Sequence, residues 1–265
     1  MKLEKELVDT LRILDGYFKK HDIKYVLIGA QVPKILLSLD RNPNSRPTKD
    51  IDLALEFDSW DDYSKVITDL IELSFNKKSN EPEHRLFYHG TMVDLLPYIQ
   101  DDIVDGYITF PESQNIMNLH GFDKLIKGAV MEYVDRDFLI SVIPLHLSVY
   151  SKIIAFLDRG EQRNIYDDII DILYVFENYE DVYESERRFD IDGKHNIRYE
   201  YSGAFLVGQD LASCLNSDEI QLINTFLLKF NDKYSYIIQK VNSLFKYDSI
   251  EILNMFTAFR RGLEA

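Results

Sequence analysis

Hydrophobic and polar positions recur with two different periods along this chain. Over residues 3–20, Leu3, Leu7, Leu11, Leu14 and Phe18 return every three or four positions, which predicts an amphipathic helix. "IKYVLIG" (23–29) is a short apolar run closed by glycine and predicts a buried strand. "AQVPKILLSL" (30–39) predicts a helix with Pro33 tolerated in its first turn. After a loop-forming stretch, "DRNPNSRPT" (40–48), the period drops to two. Ile51, Leu53, Leu55 and Phe57 fall on one strand face; Asp50, Asp52, Ala54 and Glu56 fall on the other. Ser59 is expected to cap a helix to about residue 73, with Val66, Leu70 and Leu73 on its apolar side. "HRLFYHGTMVDLLPYI" predicts two strands turning near Gly90, and a β-rich region runs on to about Pro144 with a short helix after Gly121.

Beyond Pro144 the helical period takes over. Residues 145–159 and 164–179 each predict a helix, and the chain from about Asn196 is mainly helical, with Ser217 as a candidate N-cap before Asp218 and Glu219. No internal repeat or low-complexity segment interrupts this division into an α/β half and a helical half. The two domains are expected at 1–144 and 145–265.

Composition narrows the functional classes. The 265 residues are 46% hydrophobic and 13% aromatic, enough for a real core. Thirty Lys and Arg against 45 Asp and Glu give a formal charge of −15, which argues against a broad nucleic-acid footprint while leaving room for a local basic pocket. The single cysteine, Cys214, excludes an intrachain disulfide and is expected to be a buried free thiol in a helix. The N-terminal stretch is charged throughout, unlike a signal peptide, and no apolar run has membrane-spanning length, so a soluble cytoplasmic protein is expected. The six histidines show no ligand spacing. Tyr133, Phe156, Tyr174 and Phe176 are most simply core.

The chemistry sits on the strand at 50–57. Residues i and i+2 on a strand point the same way, so Asp50 and Asp52 set two carboxylates side by side opposite an apolar face. Like charges this close repel, and a hard cation such as Mg²⁺ or Mn²⁺ relieves the repulsion. The alternative is an ordinary solvated strand face. "MVDLLPY" adds Asp94 inside a second apolar strand, where an unpaired charge is costly. It reads either as a third metal-binding carboxylate or as the partner of an arginine elsewhere. "VLIGAQV" places Gly29 at a strand-to-helix junction, where backbone N–H groups could approach a phosphate; a simple tight turn is the other reading. In the helical half, Lys152 taken by itself reads as a solvated or snorkelling lysine, and Asp167, Asp168 and Asp171 as an acidic helix face.

Taken together, "IGAQVPKILL", "RPTKDIDLAL" and "VDLLPY" resemble the nucleotidyltransferase superfamily of the polymerase-beta type. The form Arg46, Thr48, Asp50, Ile51, Asp52, Leu53 is similar to its abortive-infection toxin branch, as are "HLSVYSKIIAFLDRG", "RNIYDDIIDILYVFENY" and "SGAFLVGQDLA". The resemblance implies an α+β fold, with a nucleotidyltransferase-type mixed sheet flanked by helices followed by a mainly helical part. It implies Mg²⁺ or Mn²⁺ on Asp50, Asp52 and Asp94, with Asp94 helping to deprotonate an acceptor hydroxyl. Gly29 and Ala30 would lie against the triphosphate of a nucleoside triphosphate, Lys152 would contact its phosphates, and Asp168 and Arg46 would shape the site. The implied activity is transfer of a nucleoside monophosphate to an RNA, such as a tRNA, or to a protein hydroxyl. A cognate antitoxin-like protein is the implied partner. A small-molecule adenylyltransferase of the antibiotic-modifying kind is the second enzyme reading. A non-catalytic nucleotide-binding partner is a third, favoured by Ala30 in place of the usual Ser or Gly and by Asp167 in place of a basic residue.

Overall fold

The computed structural model describes residues 3–37, 49–159, 165–179, 186–245 and 247–265. The described residues up to Pro144 gather into one compact unit, and those from Leu145 onward into another. The fold class is α+β.

The first unit runs α1 (Lys5–Lys20), β1 (Tyr25–Ile28), α2 (Gln31–Leu36), β2 (Asp50–Glu56), α3 (Trp60–Glu72), β3 (Arg85–Tyr88) and β4 (Thr91–Tyr98). It continues with β5 (Tyr107–Thr109), β6 (Ile116–Asn118), α4 (Phe122–Lys127), β7 (Val130–Asp135) and β8 (Phe138–Val142). Six strands form a mixed sheet in the order β3-β4-β2-β1-β8-β7, with β5 and β6 as a separate ribbon. β2 pairs in parallel with β4, and β1 with β8; the other pairs are antiparallel.

The alternation read from 50–57 is realised in β2. Ile51, Leu53 and Leu55 are completely buried. α1 covers their face: Phe18 packs on Tyr25, the register partner of Leu55, and Tyr17 donates a hydrogen bond to Asp69 of α3. Each such side chain withdrawn from water contributes about 1.5–3 kcal/mol, which holds β2 in register. The opposite face is not simply solvated, because Ala54 is buried there too; only its two ends, Asp50 and Asp52 at one and Glu56 at the other, are half-buried. Ser59 caps α3 as expected, its hydroxyl accepting from the Asp62 N–H. Leu73 does not join the apolar side: α3 stops at Glu72, and Leu73 is 46% exposed at its C-cap.

The second unit contains α5 (Leu145–Arg159), α6 (Ile165–Asn178), α7 (Glu186–His195), α8 (Ser202–Cys214), α9 (Ser217–Leu227), α10 (Tyr236–Phe245) and α11 (Ser249–Leu263). α8 is its centre, buried along most of its length and packed against α5, α6 and α11. α8 and α11 cross closely: a Cβ on Gly208 would stand 2.3 Å from the Phe259 carbonyl oxygen, and one on Gly262 would stand 2.0 Å from that of Phe205.

Three local expectations are corrected here. Asn216, not Ser217, caps α9; its side chain accepts from the Asp218 and Glu219 N–H groups, while the Glu219 carboxylate accepts from the Asn216 N–H. That reciprocal pairing satisfies more end-of-helix donors than a serine one position later. Cys214 is exposed, because it is the last residue of α8 and lies on the turn toward Asn216. Tyr133 is 55% exposed because β7 is the edge strand, whereas Phe156, Tyr174 and Phe176 are core as expected.

Candidate functional site

Parallel pairing of β2 and β4 sets Asp52 directly beside Asp94, on strands about 4.8 Å apart. Asp50 lies two residues earlier in β2 and so shares their face. The antiparallel β3–β4 hairpin sets Arg85 opposite Asp94. A single row therefore crosses the sheet: Arg85, Asp94, Asp52, Ile28. Arg85 grips Asp94 in bidentate fashion, Nε donating to Oδ1 at 2.7 Å and Nη2 to Oδ2 at 2.8 Å. Its Nη1 donates to Glu81 at 3.1 Å. The hydrogen bonds to Asp94 raise the already high pKa of the guanidinium, against the effect of burial. Of the two readings of Asp94, the arginine partner is present, and it is Arg85.

Gly29 lies against the same row. Its φ is +75°, and a Cβ there would fall 2.0 Å from Asp52 Oδ2. Glycine is required both for the backbone conformation and for the space the carboxylate fills. The Gln31 side-chain amide donates to the Asp50 carbonyl at 3.0 Å, tying the turn to the start of β2. α2 has only six residues, and Ala30 at its N-cap offers no side-chain acceptor. The turn is thus built chiefly to admit the Asp52 carboxylate, with little help from a helix dipole.

Lys152, Asp168 and Asp171 meet within the helical unit. The Lys152 ammonium stands 3.2 Å from Asp168 Oδ1 and 2.7 Å from Asp171 Oδ2, and Arg159 Nη1 donates to Asp168 Oδ2 at 2.8 Å. The Asp168 side chain is 1% exposed, so neither a solvated acidic face nor a snorkelling lysine describes this cluster. Burial pushes the Asp168 carboxyl above the usual carboxylate range, opposed by Lys152 and Arg159. Asp167 is half-buried in the first turn of α6. Arg46 lies outside the described residues.

A second polar cluster in the helical unit was not anticipated from the sequence. The buried Tyr179 hydroxyl donates to Asp210 Oδ2 at 2.5 Å and meets His146 Nδ1 at 3.2 Å. Arg187 grips both Asp210 oxygens, at 2.7 and 3.0 Å. Burial alone would raise the Asp210 carboxyl, but its bonds to Arg187 and Tyr179 bring it below its ordinary value. Burial lowers the His146 pKa.

Asp50 and Asp52 offer the oxygen donors a hard divalent cation takes, and the space left by Gly29 accommodates one of them. Asp94 fits less well while it is held by Arg85, because a guanidinium beside it opposes a second cation. Among the described residues, no group of three or more His, Cys, Asp or Glu side chains is arranged to hold a metal ion.

No protein-family profile matches the chain, and neither does any curated protein. Among solved structures, the chain is similar to an antigenic nucleotidyltransferase-like protein from Paracoccidioides brasiliensis, at 16% identity and a TM-score of 0.41, covering 73% of this chain and 91% of that one. The antibiotic-resistance factor ANT(2'')-Ia matches at 11% identity and 0.42, covering 73% and 98%. A CCA-adding enzyme in complex with ATP matches at 13% and 0.28, covering 97% and 80%. Likenesses this distant carry no argument about what the chain binds or does; that rests on its own side chains. No helix among the described residues is long and apolar enough to cross a membrane.

Proposed function

We propose that this chain is a metal-dependent nucleotidyltransferase, moving a nucleoside monophosphate from a nucleoside triphosphate to a hydroxyl acceptor with release of pyrophosphate. The observation that carries this reading is Asp52 beside Asp94 across β2 and β4, with Asp50 on the same face of β2 and the Gly29 turn open to Asp52. An isolated carboxylate in a strand is commonly structural; carboxylates gathered on one sheet face beside a glycine turn are a pattern met at functional sites. In this reading the acceptor oxygen forms a bond to the α-phosphorus as the bond to the bridging oxygen of pyrophosphate breaks, and the acceptor's proton passes toward Asp94. A divalent cation bound at Asp50 and Asp52 would neutralise charge developing on the phosphate oxygens. Gly29 and Ala30 are assigned to the triphosphate and Arg46 to shaping the site; in the helical unit Lys152, held in place by Asp168 and Asp171, is a separate candidate for phosphate contact.

The acceptor we favour is an RNA, such as a tRNA, or a protein hydroxyl, modified by a toxin-like cytoplasmic enzyme with a cognate antitoxin-like partner. A small-molecule acceptor is the enzyme alternative. A non-catalytic nucleotide-binding module is the second reading, favoured by the occupation of Asp94 by Arg85. Incubating the protein with each α-labelled nucleoside triphosphate, Mg²⁺ or Mn²⁺ and a cell extract separates them. Label on RNA, protein or a small molecule identifies the acceptor class; nucleotide binding without any transfer leaves the module.

A further inference from the structure

We propose that Arg85 is a positioning residue of the carboxylate row: a built-in counter-cation that holds Asp94 in place and keeps a divalent cation off it until nucleotide arrives. The inference rests on the reading of Asp50, Asp52 and Asp94 as cation ligands. Three observations support it. Arg85 and Asp94 are register partners across the hairpin, so the pair is set by the backbone and not by chance contact of two long side chains. The pairing is bidentate at 2.7 and 2.8 Å, the geometry in which guanidinium and carboxylate match best. The guanidinium is itself anchored, because Glu81 accepts from its remaining terminal nitrogen.

Asp94 stands between two possible cations. On one side is Arg85; on the other, one strand away, is Asp52 and whatever cation it shares with Asp50. A carboxylate neutralised by an adjacent guanidinium attracts a second cation less, and the guanidinium's own charge repels it. The row without nucleotide is therefore expected to take a cation through Asp50 and Asp52, with Asp94 joining only when the phosphates supply enough negative charge to draw Arg85 or the metal across. Glu81 is placed to keep Arg85 from leaving the site while this happens. A purely structural role for the pair, a clamp joining β3 to β4, predicts no influence on metal uptake.

Mn²⁺ binding to the nucleotide-free protein, followed by calorimetry and by the loss of the free-ion paramagnetic resonance signal, tests this directly. Arg85→Gln should tighten Mn²⁺ binding at least about tenfold, because it removes a positive charge and releases a carboxylate. Arg85→Lys keeps the charge and should stay near the parent. Asp94→Asn leaves the guanidinium unneutralised and should weaken binding in the parent, and in the Arg85→Gln background, where both charges are gone, it should abolish the gain. The Arg85→Gln/Asp94→Asn protein leaves no orphaned charge, so it serves where Arg85→Gln alone does not fold. Unchanged or weaker binding in folded Arg85→Gln overturns the inference, as does a matching gain in Arg85→Gln/Asp94→Asn. The Asp50→Asn/Asp52→Asn protein separates the two levels. Mn²⁺ uptake that falls in it but ignores Arg85 overturns only this inference; no uptake by any of the proteins overturns the cation reading as well.

Discussion

Replacing Gly29 with alanine probes the join between the turn and the carboxylate row. Two costs can be worked from the geometry. The φ of +75° is left-handed, and a residue with a Cβ pays about 1–2 kcal/mol to occupy it. The new Cβ would also stand 2.0 Å from Asp52 Oδ2 and 2.8 Å from Asp52 Cγ, against an ordinary contact of about 3.5–4.0 Å. The carboxylate must therefore swing away by more than an ångström, and overpacking of this kind costs about 1–3 kcal/mol. Together Gly29→Ala should lose roughly 2–5 kcal/mol, a sizeable share of a domain's usual 5–15 kcal/mol. In an Asp52→Ala background the obstructing carboxylate is gone and only its Cβ remains, at 3.1 Å. There the same change should cost the conformational part, about 1–2 kcal/mol, and a small adjustment for the remaining close contact. Urea unfolding of the four proteins, compared at equal slope, measures both losses and their coupling. A Gly29→Ala protein within about 0.5 kcal/mol of the parent, or a loss that Asp52→Ala does not reduce, refutes the close approach of turn and carboxylate.

Other outcomes follow from the same geometry. Asp50→Asn and Asp52→Asn should each cut transfer by at least roughly 100-fold in a protein that melting curves show to be folded. Lys152→Met should destabilise the helical unit by about 3 kcal/mol, since the buried Asp168 loses one of its two cations, and adding Asp168→Leu should recover part of the loss in the same denaturation assay. Burial holds the folded-state pKa of His146 below its ordinary 6.5, so the unfolded chain binds the extra proton first. The stability contributed by neutral His146 is full above that value and is lost as pH falls through the folded-state pKa; melting temperatures between about pH 5 and 8 should fall less steeply with acid in His146→Gln. Asn216→Ala should cost about 1 kcal/mol by removing the α9 cap, whereas Ser217→Ala should be nearly silent in the same measurement.

How far the sequence revealed these features depended on whether neighbours along the chain or partners across it decided them. The β2 alternation was legible because the side-chain period of a strand is local, and so the shared face of Asp50 and Asp52 was legible too. The helices α5 and α6 were legible from their apolar periodicity. α7 was not anticipated, because "ERRFDIDGKH" is mostly charged and its helix carries no continuous apolar stripe. Asn216 and Ser217 are both good caps by type, and only the reach of Glu219 back to the Asn216 N–H decides between them. Cys214 and Tyr133 were misjudged because exposure there depends on a helix ending and on a strand being the sheet's edge. Arg85 was overlooked although a signal existed: a two-residue turn at His89 and Gly90 fixes the register that sets Arg85 opposite Asp94. The adjacency of Asp94 to Asp52 was not readable in the same way, since it comes from parallel pairing of strands separated by α3 and β3.

The central claim is that Asp50, Asp52 and Asp94 serve nucleotidyl transfer, with attack at the α-phosphorus. Its most direct test runs paired reactions on the same nucleoside triphosphate, labelled at the α-phosphate in one and at the γ-phosphate in the other. The unmutated protein and Asp50→Asn/Asp52→Asn are compared with Mg²⁺ and extract. The account predicts that α-label moves to an acceptor while γ-label leaves as pyrophosphate, and that both events vanish in the mutant. Transfer of γ-label to an acceptor, or transfer of α-label that survives loss of both aspartates, would contradict it.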